Sequence, residues 1–483
     1  MFMKEVSLAF LFVQKKHQST WVVLVLLVGL LLRLYQLADD PFWLDEIGVW
    51  EAATQPTFTE AVGVSRSHVM GMPLHYALTW LFAQTGLQNE WLRLPDAILG
   101  TISIALGYAV ACYFVRPQTA TLTALLMATS PLLVRYSQEL RFYAGLLFFY
   151  FLILWTALRA FEKPRWQRWL TVVLAGAVGT LFHTFTILGL GSAFAVFLVK
   201  TGWRRWKAAR RLIVCSIVLL IFYAWAVIEF GSVPAVGSAL FAFETPLQFL
   251  LRGLGLAPIH SPNPSSLVYY LLLGVMSVVG LNKVIQNKDL SLLFSWIAAC
   301  LMITLIISMN WYRHYFLHSR QIYYLSFWVF ILAATGFSLT VEWIGKRLTF
   351  LPINWRSFVA VSLIVLVIGL ASLPALSQYY AAERTIARNG YSALLQRWQP
   401  GDWICILPHY DAVVYIRHWQ QSVGEWIIPC TVENVYEQED VKFVLANESF
   451  DLSSQFQVIF TPPKDTLFPK WIWERKSPKY TDN

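Results

Sequence analysis

The chain has 483 residues, of which 57% are hydrophobic and 13% are charged, and its mean hydropathy is +0.53. This composition excludes an ordinary soluble globular protein and predicts a mainly α-helical, polytopic membrane protein. The formal net charge of +9 would suit nucleic acid. The basic residues, however, are concentrated on one predicted side of the membrane. The charge therefore reflects membrane topology, and no nucleic-acid partner is predicted.

Hydrophobic runs predict about eleven membrane-spanning helices. Their centres lie near residues 29, 106, 126, 150, 176, 191, 220, 273, 299, 331 and 366. The first run, Trp21–Leu37, lacks a small-residue cleavage site, so we expect a retained anchor. Leu170–Val199 has basic clusters at both ends, which predicts two crossings with His183 at the outer turn between them.

The basic residues predict the orientation. With the amino terminus inside, nineteen Lys and Arg fall on the inner side of the spans and eight fall in outer connections. The positive-inside rule therefore places the amino terminus inside and the carboxyl terminus outside. The outer eight are all arginines: Arg33, Arg66, Arg93, Arg135, Arg141, Arg252, Arg313 and Arg320. Because arginine presents a planar fork that suits phosphate, they indicate a phosphate-bearing ligand on the outer face.

The first outer connection, Asp39–Asp96, is long and carries two adjacent acids, Asp45 and Glu46, near its start. Carboxylates at the edge of the bilayer are costly to desolvate and often mark chemistry or an ion path. The alternative is that both are solvated loop residues. Pro73–Ala83 is too short to span, so we expect a helix on the membrane surface.

A later outer connection, Glu229–Ser266, is rich in Pro and Gly and carries Glu244, Arg252 and His260. Such a segment is either lid-like or an inert loop.

The densest polar cluster follows the third predicted span and contains Arg135, Gln138, Glu139 and Arg141. On a helix that starts near Ser137, Gln138 and Arg141 would share a face, whereas Glu139 would point elsewhere. The alternative is a salt-bridged helix end whose side chains snorkel to water.

After the last span, four short β-like runs predict a small extracytoplasmic α/β domain, residues 377–483, after a transmembrane domain of residues 1–376. The runs are Asp402–Leu407, Trp426–Pro429, Val441–Ala446 and Phe456–Thr461, with a helix at Asp411–Gln420. Cys405 and Cys430 fall in this domain, where a disulfide is permitted although their spacing does not determine pairing. The other cysteines, Cys112, Cys215 and Cys300, are expected to be small core residues.

Several motifs follow one another in a recognisable order: Trp43-Leu44-Asp45-Glu46, then Arg93-Leu94-Pro95, then Tyr136-Ser137-Gln138-Glu139-Leu140-Arg141-Phe142-Tyr143. Together they resemble the C-type membrane glycosyltransferases, and most of all the bacterial branch related to protein O-mannosyltransferases and the lipid A aminoarabinose transferase. The Leu181–Phe185 turn and Ser319-Arg320-Gln321 are similar to two further elements of that branch. The resemblance covers most of residues 20–340. One departure is Gly71, which stands where the family often carries a histidine.

The resemblance implies transfer of a sugar from a polyprenyl-phosphate donor to a lipid, glycan or protein acceptor, with inversion. The reaction would take place on the extracytoplasmic face of a bacterial inner membrane. Asp45 matches the family's catalytic base, and Glu46 would orient it or contact the acceptor. The phosphate candidates are Arg141, Arg135, Arg320 and Arg93, and the substrate-binding candidates are Gln138, Glu139, Tyr143, His183 and His75.

Three questions stay open at the level of sequence. A divalent metal is conceivable because several histidines and acids face outward, but no tight ligand spacing is present and no metal ligand is assigned. His183 could equally be a core histidine. The rival functions are a transporter or flippase of an anionic polyprenyl lipid, against which the lack of internal repeats counts, and a non-catalytic assembly protein.

Overall fold

A computed structural model describes most of the chain. The described residues are 20–39, 42–67, 71–87, 89–200, 206–231, 240, 244–258, 264–312, 314, 316–381, 393–407, 426–430, 435, 440–446, 455–461 and 471–476. The chain divides into two compact units. The first comprises Met1–Leu37, Ala52–Leu87 and Leu92–Tyr379, and the second comprises Ala38–Glu51, Gln88–Trp91 and Tyr380–Asn483.

The first unit is helical. Its helices are α1 (Thr20–Leu34), α3 (Phe58–Val64), α4 (Pro73–Gln84), α5 (Leu94–Ala111), α6 (Pro117–Thr129), α7 (Pro131–Ser137), α8 (Tyr143–Glu162), α9 (Trp166–Phe182), α10 (Leu188–Lys200), α11 (Trp206–Phe230), α12 (Pro246–Gly253), α13 (Pro264–Gln286), α14 (Leu290–Tyr312), α15 (Ser326–Arg347) and α16 (Ile353–Ala381). Helix α2 (Leu44–Ala53) lies mostly in the second unit. Several helices start at proline, whose fixed φ suits the first turn and whose missing N–H costs nothing there.

Seven helices in the described ranges are long and apolar enough to cross a membrane, which agrees with an integral membrane protein. They are α5 with the short turn before it, α8, α11, α13, α14, α15 and α16. The other predicted centres, near residues 29, 126, 176 and 191, also fall in helices, but α1, α6, α9 and α10 are shorter.

Helix α15 is deeply enclosed in the helical core, with every side chain from Ser326 to Ala334 buried. It crosses α13 at two glycines. A Cβ on Gly280 would collide with the carbonyl oxygen of Leu332, and one on Gly336 would collide with that of Met276. Glycine is required at both positions because the two backbones touch there.

The expected helical face shared by Gln138 and Arg141 is wrong. Helix α7 ends at Ser137 and α8 begins at Tyr143, with bends between them. The Arg141 N–H donates to the carbonyl of Glu139 at 2.7 Å, which makes a three-residue turn instead of a helical turn. The predicted break at His183 is confirmed, since α9 ends at Phe182.

The second unit contains a five-stranded sheet. Its strands are β1 (Trp403–Leu407), β2 (Ile427–Pro429), β3 (Val441–Ala446), β4 (Phe456–Phe460) and β5 (Trp471–Arg475), in the order β2-β1-β3-β5-β4. Strand β1 runs parallel to β2 and β3, whereas β5 is antiparallel to β3 and β4. The four predicted strands are confirmed and β5 was missed. The predicted helix Asp411–Gln420 lies outside the described residues.

The cysteines differ in part from expectation. Cys405 lies in β1 and Cys430 directly follows β2, and the two are joined in a disulfide with their Cα atoms 5.7 Å apart. Cys215 is buried as expected, but Cys112 and Cys300 are exposed, so their assignment to the core is wrong. Cys112 follows the end of α5, and Cys300 lies on an outward face of α14.

Candidate active site

Asp45 and Glu46 lie in the first turn of α2, in the second unit. Glu46 is completely buried, and its Oε2 accepts a hydrogen bond from the Trp43 N–H at 3.2 Å. This is one half of a capping box, in which the third helical residue caps the N-terminus. Asp45 is half-buried, and a negative charge there is stabilised by the helix dipole. Glu46 is therefore not the solvated loop residue of the alternative interpretation.

Arg135 and Glu139 form a buried ion pair in the first unit. The Arg135 Nε atom lies 2.9 Å from Glu139 Oε1, and the two side chains are 6% and 2% exposed. Burial alone would lower the pKa of Arg135, but the neighbouring Glu139 carboxylate raises it above its ordinary value. The pair is enclosed, so it is not a snorkelling helix end.

The same pair keeps hydrogen-bonding capacity. Arg135 Nη1, Glu139 Oε2 and the Tyr136 hydroxyl are buried and have no hydrogen-bond partner among the described residues. Buried polar atoms normally have partners, and those that lack one need an explanation such as a ligand or a bound water. An anion could accept from Arg135 Nη1, while a hydroxyl could donate to Glu139 Oε2.

Three arginines share this neighbourhood and are here termed the arginine cluster: Arg135, Arg252 and Arg320. Burial, and then these three positive charges, hold the pKa of His318 well below its ordinary value, so the imidazole is neutral. Arg320 lies on the short turn Ser319–Gln321, with its guanidinium 5.7 Å from the centre of the Phe316 ring. The predicted cations Arg135 and Arg320 are thus brought together.

A row of aromatic rings connects this neighbourhood with His183. The ring of Tyr136 lies 4.7 Å from that of Tyr323 and 4.9 Å from that of Tyr143. Tyr143 is in turn 4.9 Å from Phe142, which lies 4.3 Å from the His183 ring. Arg141 stacks over Phe142 at 4.7 Å. The Arg135 guanidinium lies 5.5 Å from the centre of the Tyr136 ring. The predicted site residues Arg135, Arg141, Tyr143 and His183 therefore belong to one continuous region.

His183 is held as a neutral ring with one defined tautomer. Its Nδ1 accepts from the Phe185 N–H at 3.0 Å, which leaves the proton on Nε2. Burial, and then the positive charge of Arg141, lower the pKa of His183 to about 3. The ring can therefore donate a hydrogen bond but cannot serve as a proton carrier near neutral pH.

We expect His183 to make the protein less stable in acid. Its pKa is about 3 in the folded state and about 6.5 when unfolded, so between these values protons bind the unfolded chain preferentially and stability falls as pH falls. Above pH 6.5 the group contributes no pH dependence. The loss reaches at most about 1.4 kcal/mol per pH unit.

The His183→Asn protein, whose amide oxygen can still accept from Phe185, should show a smaller drop in unfolding temperature between pH 7 and pH 5. The exposed His314 provides the control His314→Asn. An identical pH dependence in wild type and His183→Asn would contradict the assignment.

The side chains of Gln138 and Arg93 donate hydrogen bonds to backbone carbonyls at the end of α1 and just after it. The Gln138 amide donates to the carbonyls of Arg33 at 3.0 Å and Tyr35 at 2.7 Å, and its oxygen accepts from the Tyr379 hydroxyl at 2.7 Å. Arg93 is completely buried and donates to the carbonyl of Leu37 at 3.1 Å. These contacts favour structural roles for both residues, and their substrate and phosphate roles stay predictions.

His75 pairs with Asp96 inside the first unit. Its Nε2 lies 3.2 Å from Asp96 Oδ2, and its ring packs edge-on against Phe182 at 5.3 Å. The Nδ1 atom is buried with no hydrogen-bond partner in the described part of the chain. His75 is thus buried, and its substrate role stays a prediction.

Within the described ranges, no group of three or more His, Cys, Asp and Glu side chains is arranged to hold a metal ion. His68, His260 and Arg313 lie outside those ranges.

Three residues were not singled out from the sequence: Tyr136, His318 and Tyr379. Tyr136 belongs to the recognised motif, so the motif itself carried a signal. His318 directly precedes Ser319-Arg320-Gln321, and only its position there hinted at a role. Tyr379 reaches Gln138 across 241 residues of sequence, a contact for which no local pattern exists.

Comparison with known proteins supports the resemblance. Residues 70–228 match the family model of dolichyl-phosphate-mannose-protein mannosyltransferase. This third of the chain contains eight of the candidate site residues: His75, Arg93, Arg135, Gln138, Glu139, Arg141, Tyr143 and His183. No curated protein sequence matches the chain.

Solved structures share the fold at low sequence identity. ArnT from Cupriavidus metallidurans in the apo state has a TM-score of 0.55 at 13% identity, over 94% of this chain and 98% of that one. The same protein bound to undecaprenyl phosphate has a TM-score of 0.51 at 12% identity, over 95% and 99%. The oligosaccharyltransferase AglB from Archaeoglobus fulgidus, in complex with an inhibitory peptide and a dolichol-phosphate, has a TM-score of 0.52 at 13% identity, over 90% and 70%.

The fold therefore extends over almost the whole chain, and the family match lies on its most motif-rich part. The resemblance read from the motifs is confirmed. Over residues 70–228 the chain is similar to the dolichyl-phosphate-mannose-protein mannosyltransferase family, and over most of its length it shares the fold of ArnT and AglB.

Proposed function

We propose that the enzyme transfers a sugar from a polyprenyl-phosphate donor to a lipid, glycan or protein acceptor. The observation that carries the proposal is the arginine cluster, in which Arg135 is buried and its Nη1 has no hydrogen-bond partner among the described residues. A buried, oriented N–H beside further guanidinium groups suits a phosphate oxygen. Two fold relatives were solved with undecaprenyl phosphate and dolichol-phosphate, respectively.

In the proposed reaction an acceptor hydroxyl attacks the anomeric carbon as the bond from that carbon to the phosphate oxygen breaks. Asp45 takes the hydroxyl proton as general base, and the bonding electrons leave with the lipid phosphate. Attack opposite the phosphate inverts the anomeric centre. Asp45 lies in the second unit and the arginines in the first, so their joint action rests on the order and spacing of the motifs.

The leaving phosphate needs charge stabilisation more than protonation. Arg141, Arg135 and Arg320 are proposed to supply it, with Arg93 as a less favoured candidate because of its contact with Leu37. Neutral His183, with its proton on Nε2, would donate to the sugar or the acceptor, and Glu139 Oε2 would accept from a hydroxyl group. Tyr143, Gln138 and His75 complete the proposed substrate-binding set.

We further propose about eleven crossings, with the amino terminus inside a bacterial inner membrane and the carboxyl terminus and active site outside it. The excess of Lys and Arg on the predicted inner side supports this orientation. Residues 1–376 would be the catalytic membrane domain and residues 377–483 an extracytoplasmic domain. A disulfide between Cys405 and Cys430 agrees with an oxidising compartment for the latter.

A reconstitution experiment separates transfer from transport. Purified protein in liposomes would receive a radiolabelled polyprenyl-phosphate sugar together with membrane extract. The proposal predicts label in an acceptor and an equal amount of free lipid phosphate. Movement of intact donor between leaflets, with no label released from the lipid, would instead indicate a flippase and contradict the proposal.

A further inference from the structure

The turn that carries Arg320 is held by a carboxylate from the preceding outer connection. Glu244 is buried, and its Oε2 accepts from the Ser319 N–H at 2.6 Å while its Oε1 accepts from the Ser319 hydroxyl at 3.0 Å. Bonds between a charged acceptor and a backbone donor are short and strong. Glu244 therefore fixes both the backbone and the side chain of the residue next to Arg320.

The charge of Glu244 is balanced locally. Arg252 Nη1 lies 3.4 Å from Glu244 Oε1, and the same guanidinium donates through Nε to the carbonyl of Pro258 at 3.1 Å. A buried carboxylate without a partner is strongly destabilising, so the ion pair with Arg252 stabilises the buried Glu244 carboxylate. Arg252 thus has a ready partner in the structure, although it belongs to the arginine cluster.

Helix α12 also packs against the same turn through contacts that involve no charged group. It starts with a capping box made by Thr245 and Gln248, directly after Glu244. At its other end, a Cβ on Gly253 would collide with Ile322 and lie 3.0 Å from the Ser319 carbonyl oxygen. The segment 244–253 therefore contacts the turn at two separate points.

The far side of the turn is held as well. The Asn310 amide donates to Gln321 Oε1 at 2.7 Å and to the carbonyl of Phe316 at 3.2 Å. Within the turn, the Arg320 N–H donates to His318 Nδ1 at 3.3 Å, which requires the neutral ring described above. Arg320 is consequently presented from a short segment whose backbone is bonded on both sides.

We propose that Glu244 is a positioning residue for the donor phosphate: through Ser319 it fixes the turn that aims Arg320. This inference rests on the proposed function, because it assumes that Arg320 binds the phosphate of the lipid donor. In this proposal, residues 244–253 of the Glu229–Ser266 connection, which the sequence left as either lid-like or inert, hold the turn that carries Arg320. A cation held in place before the ligand arrives binds more tightly than one that must first be ordered, since the ordering entropy is already spent.

A double-mutant cycle on Glu244 and Arg320 tests the inference. The affinity of purified protein for undecaprenyl phosphate would be measured for wild type, Glu244→Ala, Arg320→Gln and the double variant. Loss of a charged hydrogen bond should weaken binding by Arg320→Gln about 10- to 100-fold. Glu244→Ala should weaken binding about 10-fold in the wild-type background but less than about 2-fold with Arg320→Gln, because it acts through that arginine.

Three further variants guard against a folding defect. Glu244→Gln keeps a carbonyl that can accept from the Ser319 N–H, so it should recover most of the affinity. Gly253→Ala should weaken binding through its collision with the turn, whereas Leu247→Ala, at an exposed position of the same helix, should leave it unchanged. Unfolding temperatures of all variants would be recorded alongside.

The outcomes are distinct. Wild-type protein that does not bind undecaprenyl phosphate would overturn the proposed donor and the inference with it. Two other outcomes, each with wild-type protein that binds undecaprenyl phosphate, would overturn the inference alone. In one, the losses of affinity from Glu244→Ala and Arg320→Gln multiply in the double variant. In the other, the Glu244→Ala and Gly253→Ala proteins bind with wild-type affinity.

Discussion

Asp45→Asn protein is expected to fold normally and to turn over donor about 10²- to 10⁴-fold more slowly than wild type, which is the usual contribution of a positioned general base. Asparagine keeps the size of the side chain but cannot accept the proton of the acceptor hydroxyl. The KM for the donor should change little, because the residues proposed to bind its phosphate are arginines. Steady-state kinetics with a labelled donor would measure both parameters.

Glu60→Gln is a suitable control for Asp45→Asn, because Glu60 is exposed in α3 and has no assigned role. It should keep the wild-type kcat. If the well-folded Asp45→Asn protein kept it too, Asp45 would not be the base. Glu46→Ala should mainly lower the unfolding temperature, since it removes the oxygen that accepts from the Trp43 N–H and caps α2.

The largest effect on stability is expected from Glu139→Gln. The change leaves the guanidinium of Arg135 buried without its carboxylate partner, and breaking a buried pair in this way costs about 3–5 kcal/mol. Thermal or denaturant unfolding of the purified protein would measure the loss.

An exposed ion pair provides the matched control. Arg116 and Glu342 lie 3.6 Å apart with side chains 82% and 57% exposed, so Glu342→Gln should change stability by less than about 1 kcal/mol. Replacing both buried partners, as in Arg135→Met with Glu139→Leu, should restore much of the stability but not donor binding. Equal, small effects of Glu139→Gln and Glu342→Gln would contradict the buried pair.

The membrane helices were predictable because each depends on a local property. A long apolar run must be helical in a bilayer to satisfy its backbone, and every predicted centre lies in a helix. The four strands of residues 403–460 were likewise visible as short β-branched and aromatic runs. Strand β5 was missed because Trp471–Arg475 ends in two charged residues, and its pairing with β3 and β4 is a tertiary contact.

The motifs predicted which residues belong to the candidate site but not how they are held. The Gln138 side chain donates to the carbonyls of Arg33 and Tyr35, at the end of α1 and just after it, and accepts from the Tyr379 hydroxyl. These contacts lie in the break between α7 and α8, where the sequence predicted a helix starting near Ser137. Glu244 is 75 residues from Ser319, so its role was invisible until both segments were seen in contact.

The most direct test of the account is a transfer assay with defined components. Purified wild-type and Asp45→Asn proteins would each be incubated with a panel of radiolabelled polyprenyl-phosphate sugars and membrane extract, and free lipid phosphate and labelled acceptor would be quantified. The account predicts that at least one donor loses its sugar to an acceptor with wild type, and that Asp45→Asn abolishes or severely slows this transfer. Tight binding of donors without any Asp45-dependent release of lipid phosphate would contradict it.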